Sequence, residues 1–214
     1  MNKKQPILYV RGISGKTPQH MIDRLSPHID ALGNHHNIDF VHVQYTFPWT
    51  SALQAGNRKR TIALAEGLAD KIAVLAHHYG VVPFIVCYSF GNVITHRVPW
   101  HNKTLRQSGI ERGDLKAFLF HAAIEDDYIW SGTYGTIHNF YEPEDKALKY
   151  GRKIPFHPFG SLGRTGYKGP DESGQDWHDH PSLKMETKAW NKHDNWFEGI
   201  NAAHAANKIV KEAL

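Results

Sequence analysis

Cysteine is almost absent from this sequence, which has one, Cys87, among 214 residues. A single cysteine cannot form a disulfide within the chain and offers no cysteine pair to a metal. Long apolar runs are missing as well, since none approaches the roughly 20 residues that cross a bilayer. The N-terminal Met-Asn-Lys-Lys-Gln-Pro leads into an apolar stretch too short for a signal-peptide core. We therefore expect a soluble, cytoplasmic protein without integral membrane association.

Neither sign of charge dominates the sequence. There are 25 Lys and Arg residues against 21 Asp and Glu residues, a net charge of +4, with no block of like charges. This balance is typical of a mixed solvated surface, so we expect no nucleic-acid partner. The length suffices for one domain with its own core, and no internal repeat divides it. We therefore treat residues 1–214 as a single domain; the oligomeric state stays open.

Segments of strand and helix character alternate along the chain. Strand-like runs fall at 7–13, 38–45, 82–89, 115–123 and 136–142, and helical patterns fall at 16–32, 52–79, 91–98 and 194–213. The alternation predicts a three-layer α/β/α sandwich around a mostly parallel sheet of about five to six strands. Ligands in such folds bind beyond the carboxyl ends of the strands. Prolines and glycines between 155 and 182 predict a long irregular segment, and we assign 155–190 to a loop or lid insertion.

The first glycine turn ends in Gly15-Lys16-Thr17, as a nucleotide-binding P-loop does. That motif requires another glycine five positions before Gly15, where this chain has Val10. Gly12 stands too close to Gly15 to replace it. The turn is therefore not predicted to bind a phosphate.

A stronger signal is FIVCYSFGNVI at 84–94, where a strand runs into Ser89 and a helix follows. This is the context of a nucleophile elbow, in which a tight turn projects a serine hydroxyl above the sheet. Residues two positions before and after the serine must be small; Gly91 fits, and Cys87 replaces the usual glycine. The alternative is that Ser89 only caps a helix.

A serine nucleophile requires a base and an acid that orients it. Asp145 follows a predicted strand after Ser89, and His193 precedes the last predicted helix, in the order Ser, Asp, His. Asp145 could instead serve only as a helix N-terminal carboxylate, and His193 as a surface histidine. Other acids that follow strands are Glu142, Glu144, Asp126 and Asp127, and other candidate bases are His178, His180 and His204.

CYSFGN, the acid turn NFYEPED and the strand end HAAI together resemble the α/β-hydrolase superfamily, over about 6–150 plus the terminal histidine-bearing helix. The resemblance implies hydrolysis through an acyl-enzyme intermediate without a cofactor. It also implies an oxyanion hole formed by the backbone amides of Ile13 and Phe90. The family usually has a histidine where this chain has Arg11.

Two other classes of function stay open. A histidine-rich, metal-dependent hydrolase could use His35-His36, His77-His78 or His178-Asp179-His180, although none has the spacing of a known zinc motif. The second class is a non-catalytic binding protein on the same fold. It is suggested by Cys87 and Arg11, where the chain departs from the pattern of the family. We predict a serine esterase with catalytic Ser89, Asp145 and His193 and no metal, acting on a small-molecule or lipid-like ester. Candidate substrate contacts are Gly12, Tyr88, Trp177 and Trp196, the tryptophans having a core role as the alternative.

Overall fold

The computed structural model describes residues 3–12, 18–47, 57–98, 102–127, 130, 132–151, 153, 160–169, 175–184 and 192–214. Six strands among them form one sheet: β1 (Lys3–Val10), β2 (Ile38–Tyr45), β3 (Phe84–Tyr88), β4 (Leu115–Phe120), β5 (Tyr134–Tyr141) and β6 (Asp176–Pro181). The spatial order is β2-β1-β3-β4-β5-β6, and every neighbouring pair is parallel. The predicted parallel α/β architecture is confirmed.

The helices are α1 (Pro18–His35), α2 (Arg58–Tyr79), α3 (Gly91–His96), α4 (Lys103–Gln107), α5 (Lys146–Gly151), α6 (Leu162–Thr165) and α7 (Gly199–Lys211), with a 3₁₀ turn at Asn195–Phe197. Helices α1 and α7 share one buried cluster with one face of the sheet. Helices α2, α3 and α4 pack against the opposite face. None of the described helices has the length and apolar character needed to span a bilayer.

Local sequence explains why these elements form where they do. Met21, Leu25 and Ile29 recur every fourth residue of α1 and are fully or almost fully buried, as a one-sided helix requires. Helix α2 begins where the Asn57 side chain accepts a hydrogen bond from the Arg60 amide. It ends at Gly80, whose φ of 71° is readily adopted only by glycine. Strand β3 is buried along its whole length because helices cover both faces of the sheet.

The prediction of an irregular segment from 155 to 182 is wrong in part. Residues Asp176–Pro181 form β6, the edge strand, which pairs with β5 from Thr136 to Tyr141. Helix α6 also falls inside the segment. The remaining parts of the predicted lid, at 155–159, 170–174 and 185–190, lie outside the described residues, so the lid stays a prediction.

The strand register brings distant parts of the chain to one edge of the sheet. Val10 pairs with Cys87, Tyr88 pairs with Phe120, and Phe120 pairs with Phe140. The residues that follow β1, β3, β4 and β5 therefore leave the sheet side by side at its carboxyl edge.

Candidate active site

The turn after β3 has the geometry of a nucleophile elbow. Ser89 has a φ of 52°, a left-handed conformation that is costly for a residue with a side chain. Its amide donates to the Phe120 carbonyl at 2.9 Å, and the Asn92 side chain donates to the Ser89 carbonyl at 2.7 Å. The first bond holds the strained turn against the end of β4, and the second supports the turn from α3. Ser89 itself is only partly buried.

Two glycines allow the backbone to pack closely around this turn. A Cβ on Gly91 would lie 2.6 Å from the carbonyl oxygens of both Val10 and Arg11, a separation that side chains do not tolerate. A Cβ on Gly12 would lie 3.0 Å from the Ser89 Cβ. Gly12 is therefore beside the serine, in the turn after β1, where the sequence analysis placed a substrate contact; that role stays a prediction.

His193 connects Ser89 to Asp145. Its Nε2 lies 2.9 Å from Ser89 Oγ, and its Nδ1 donates to Asp145 Oδ2 at 2.6 Å. The carboxylate can only accept hydrogen bonds, so the proton of a neutral His193 sits on Nδ1 and Nε2 is left as the acceptor for the serine hydroxyl. The structure thus brings together the three side chains that the order Ser, Asp, His suggested.

Asp145 lies in the turn between β5 and α5 and is completely buried. Its Oδ1 accepts the Leu148 amide at 3.0 Å, so the helix N-terminal role considered from sequence coexists with the contact to His193. Burial opposes ionisation of this carboxyl. The positive charge that His193 carries when protonated, together with the hydrogen bonds from His193 and His121, outweighs that effect and holds the pKa of Asp145 well below its usual range.

A side chain at the end of β3 holds the loop that carries His193. The Tyr88 hydroxyl lies 2.9 Å from Asp194 Oδ1 and 3.1 Å from the His193 carbonyl oxygen, both of which can accept its proton. Burial, and then the nearby Asp194 carboxylate, raise the pKa of Tyr88, so the phenol stays a neutral donor. The hydroxyl of Tyr88 thus holds the His193 loop; its role as a substrate contact stays a prediction.

A second histidine, which the sequence analysis did not select, reaches the same carboxylate. His121 Nδ1 donates to Asp145 Oδ2 at 2.9 Å, and the His121 side chain is completely buried. It begins the HAA segment at the end of β4, next to the strand that leads into the acid turn. The sequence shows a histidine at the end of a predicted strand. That position alone does not indicate that its partner is Asp145.

The two candidate tryptophans lie in different places. Trp196 is 0% exposed, donates its indole N–H to the Tyr141 carbonyl at 3.0 Å and packs on Phe140, so it occupies the core and not a groove. Trp177 is partly buried and stacks on Tyr167. It pairs with Ile137, four residues before β5 ends, which is about 13 Å from the carboxyl edge at the rise of a strand. Neither position favours contact with a substrate at Ser89.

The oxyanion-hole residues are described only in part. Phe90 follows Ser89 directly, is buried and stands at the start of α3. Ile13 lies outside the described residues. Use of these two backbone amides stays a prediction.

The alternative acids and bases have partners of their own. Glu142 accepts from the Glu144 amide, Ser182 and Asn195, and Asp126 pairs with Lys168. His178 contacts Asp176, and His180 contacts His138. Asp127 and Glu144 are exposed, and His204 lies on α7. These contacts leave Asp145 and His193 as the acid and base best placed for Ser89.

Within the described ranges, one group of three donors is compact enough to consider for a metal ion: His121, Asp145 and His193. Their Nδ1–Oδ2 separations of 2.6 and 2.9 Å are hydrogen-bond distances. Two ligands of one tetrahedral zinc ion stand about 3.3 Å apart at ordinary Zn–N and Zn–O lengths. The arrangement fits hydrogen bonds to a carboxylate better than it fits a metal site. The pairs His35-His36 and His77-His78 are exposed, and with the described residues they form no such group.

Comparison with known proteins relates this chain to others through its structure. No protein-family model matches the chain, and no curated protein matches it at a significant level. A carboxylesterase from Bacillus cereus superposes with a TM-score of 0.58 at 14% identity, covering 100% of this chain and 92% of the other. A carboxylesterase from Mesorhizobium loti superposes with a TM-score of 0.57 at 14% identity, covering 96% of this chain and 88% of the other. A thermophilic esterase from Thermogutta terrifontis superposes with a TM-score of 0.53 at 12% identity, covering 100% of this chain and 81% of the other. The chain has the α/β-hydrolase fold, as the sequence motifs suggested.

Proposed function

We propose that this protein is a serine hydrolase that cleaves a carboxylic ester through an acyl-enzyme intermediate. The observation that carries the proposal is His193 bridging Ser89 Oγ at 2.9 Å and Asp145 Oδ2 at 2.6 Å, with Ser89 in a strained elbow. A helix-capping serine would not need a histidine and a buried carboxylate aligned behind its hydroxyl. The structural neighbours that are carboxylesterases support an ester over an amide or thioester.

The chemistry follows from the positions of these atoms. His193 Nε2 takes the hydroxyl proton as Ser89 Oγ forms a bond to the ester carbonyl carbon. His193 then gives that proton to the alcohol oxygen as the carbon–oxygen bond of the ester breaks. Water repeats the sequence on the acyl-enzyme, which releases the carboxylic acid and restores Ser89. Asp145 stabilises the protonated His193 and keeps its ring in place. The amides of Ile13 and Phe90 are the proposed donors to the oxyanion.

Ester hydrolysis by purified variants tests the proposal. Ser89→Ala, His193→Ala and Asp145→Asn should each lower kcat for p-nitrophenyl esters about ten-thousandfold, because the three side chains act as a unit. His178→Ala changes a histidine with no contact to this site and serves as the control, with kcat expected within about twofold. A series of acyl chain lengths would separate a small-molecule ester from a lipid-like one. Equal activity of wild type and Ser89→Ala would overturn the proposal.

A further inference from the structure

Asp145 Oδ2 accepts hydrogen bonds from two imidazoles at once. His193 Nδ1 lies 2.6 Å from this oxygen and His121 Nδ1 lies 2.9 Å from it, while the other oxygen of Asp145 accepts the Leu148 amide. A Ser-Asp-His arrangement requires only the first of these bonds. The second histidine therefore needs its own explanation.

The two ring nitrogens of His121 have different surroundings. Its side chain is completely buried, and its Nε2 has no hydrogen-bond partner among the described residues. Leaving a buried polar atom unpaired is unfavourable, and an apolar side chain of similar size would avoid that cost. The backbone of His121 is also left-handed, with a φ of 48°. The His121 ring also packs on Tyr88, His193 and Phe197, contacts that an apolar ring could supply. An apolar ring could not supply the bond that Nδ1 makes to Asp145.

We propose that His121 is a positioning residue for the hydrolysis, which holds the Asp145 carboxylate through Oδ2 and limits how strongly that oxygen stabilises the protonated form of His193. This inference rests on the proposed function. Two N–H donors draw on the lone-pair density of one carboxylate oxygen, so each bond is weaker than it would be alone. His193 must both accept the serine proton and give it to the leaving group, which favours a base of moderate strength.

Several titratable groups surround the three side chains and would act on any pH profile. They are Tyr88 on β3, His20 on α1, Asp194 beside His193, and Glu142 within the acid turn. His121→Leu also removes a ring that lies 5.1 Å from the His193 ring and 6.1 Å from the Tyr88 ring between centroids. Comparison with His121→Asn, which removes the same ring but keeps an N–H donor, therefore isolates the effect of the shared carboxylate.

Two variants of His121 separate positioning from mere packing. His121→Leu removes the N–H donor, so Asp145 interacts with His193 alone. The acid limb of the kcat/KM profile should then move to higher pH by about half a unit to one unit, and kcat should fall about tenfold. His121→Asn keeps an N–H donor near the Nδ1 position and tolerates left-handed backbone, so its acid limb should stay at the wild-type pH. An unmoved limb in a folded His121→Leu variant would overturn the proposal.

A measurement on the wild-type protein covers the case in which His121→Leu does not fold. Imidazole-15N-labelled protein should show two Nδ1-bound protons at low field, one from each histidine bonded to the carboxylate, and His121→Asn should remove one of them. A single such proton in wild type would contradict the shared oxygen. Fluorophosphonate labelling of Ser89 in the same samples separates the two claims. Two low-field protons without labelling would count against the hydrolase function, and labelling with one proton would count against His121 alone.

Discussion

The residue two positions before Ser89 is Cys87, where the family usually has glycine, and its chemistry is decided by burial. Cys87 is completely buried on β3, in the cluster shared with α2 and α3. Burial raises the pKa of its thiol to about 12, even though the nearby Thr95 side chain acts in the other direction. A thiol with that pKa stays protonated at neutral pH and is a poor nucleophile. Cys87 is therefore a small apolar residue that supports the elbow.

Replacing Cys87 by alanine should leave ester hydrolysis unchanged within about twofold. The loss of the buried sulfur and its contacts should lower the free energy of unfolding by about 1 kcal/mol. Urea unfolding and kcat/KM would measure the two effects. A thiol-alkylating reagent should likewise leave the folded wild-type protein active. A hundredfold loss of kcat in folded Cys87→Ala would instead assign the thiol a role in catalysis.

Ser89, Asp145 and His193 could be selected from sequence because each follows a recognisable local pattern. The serine stands in a strand–turn–helix motif, the aspartate follows a strand, and the histidine precedes the last helix. His121 could not be assigned in this way. Its role depends on which oxygen of Asp145 it reaches, and that is set by the packing of β4 beside β5.

Among the elements, β6 was the least predictable from sequence. Its segment, DWHDHP, has no β-branched residue and ends in a proline, which edge strands tolerate. Stacked rings support it instead: His180 lies 4.8 Å from Phe140 and 5.3 Å from His138 between ring centroids. These contacts are tertiary, so no local pattern announces them. The last helix was placed correctly, although it starts at Gly199 after a 3₁₀ turn and not at 194.

The histidines that join β5 to β6 stay neutral in the folded protein. His138 Nδ1 and His180 Nε2 lie 3.0 Å apart and share one hydrogen. Burial lowers the pKa of His138 to about 4, against the opposing effect of Glu212. Burial, and then the nearby His138, lower the pKa of His180 to about 3. Unfolded histidines titrate near pH 6.5.

Acid should therefore weaken the fold at β5 and β6. Folding favours the neutral histidines, so their stabilisation is complete above about pH 6.5 and is lost as the pH falls towards 4. For His138 alone, a pKa of about 4 in the folded protein makes the loss about 2 kcal/mol between pH 7 and pH 5. Urea unfolding at both pH values measures it. His138→Phe should reduce this pH dependence, whereas His35→Gln, at an exposed position, should not. An equal pH dependence in all three proteins would contradict the assignment.

At the scale of the whole molecule, the sheet brings together groups that are far apart in the chain. Ser89 leaves β3, His121 leaves β4, and Asp145 follows β5, all at the carboxyl edge. His193 lies on the loop before the 3₁₀ turn and α7. Its position depends on Trp196 and Phe197, which pack in the cluster between α1, α7 and the sheet. The site is thus assembled from the parallel sheet and the helical layer of α1 and α7.

Labelling with a fluorophosphonate probe is the most direct test of the central claim, that Ser89 is an activated nucleophile. Wild type, Ser89→Ala, His193→Ala and Asp145→Asn would be treated side by side, and the modified residue located by mass spectrometry. We predict label on Ser89 in wild type, none in Ser89→Ala, and strongly reduced labelling in the other two. An unlabelled but folded wild type would contradict the account and favour a binding protein on a hydrolase fold.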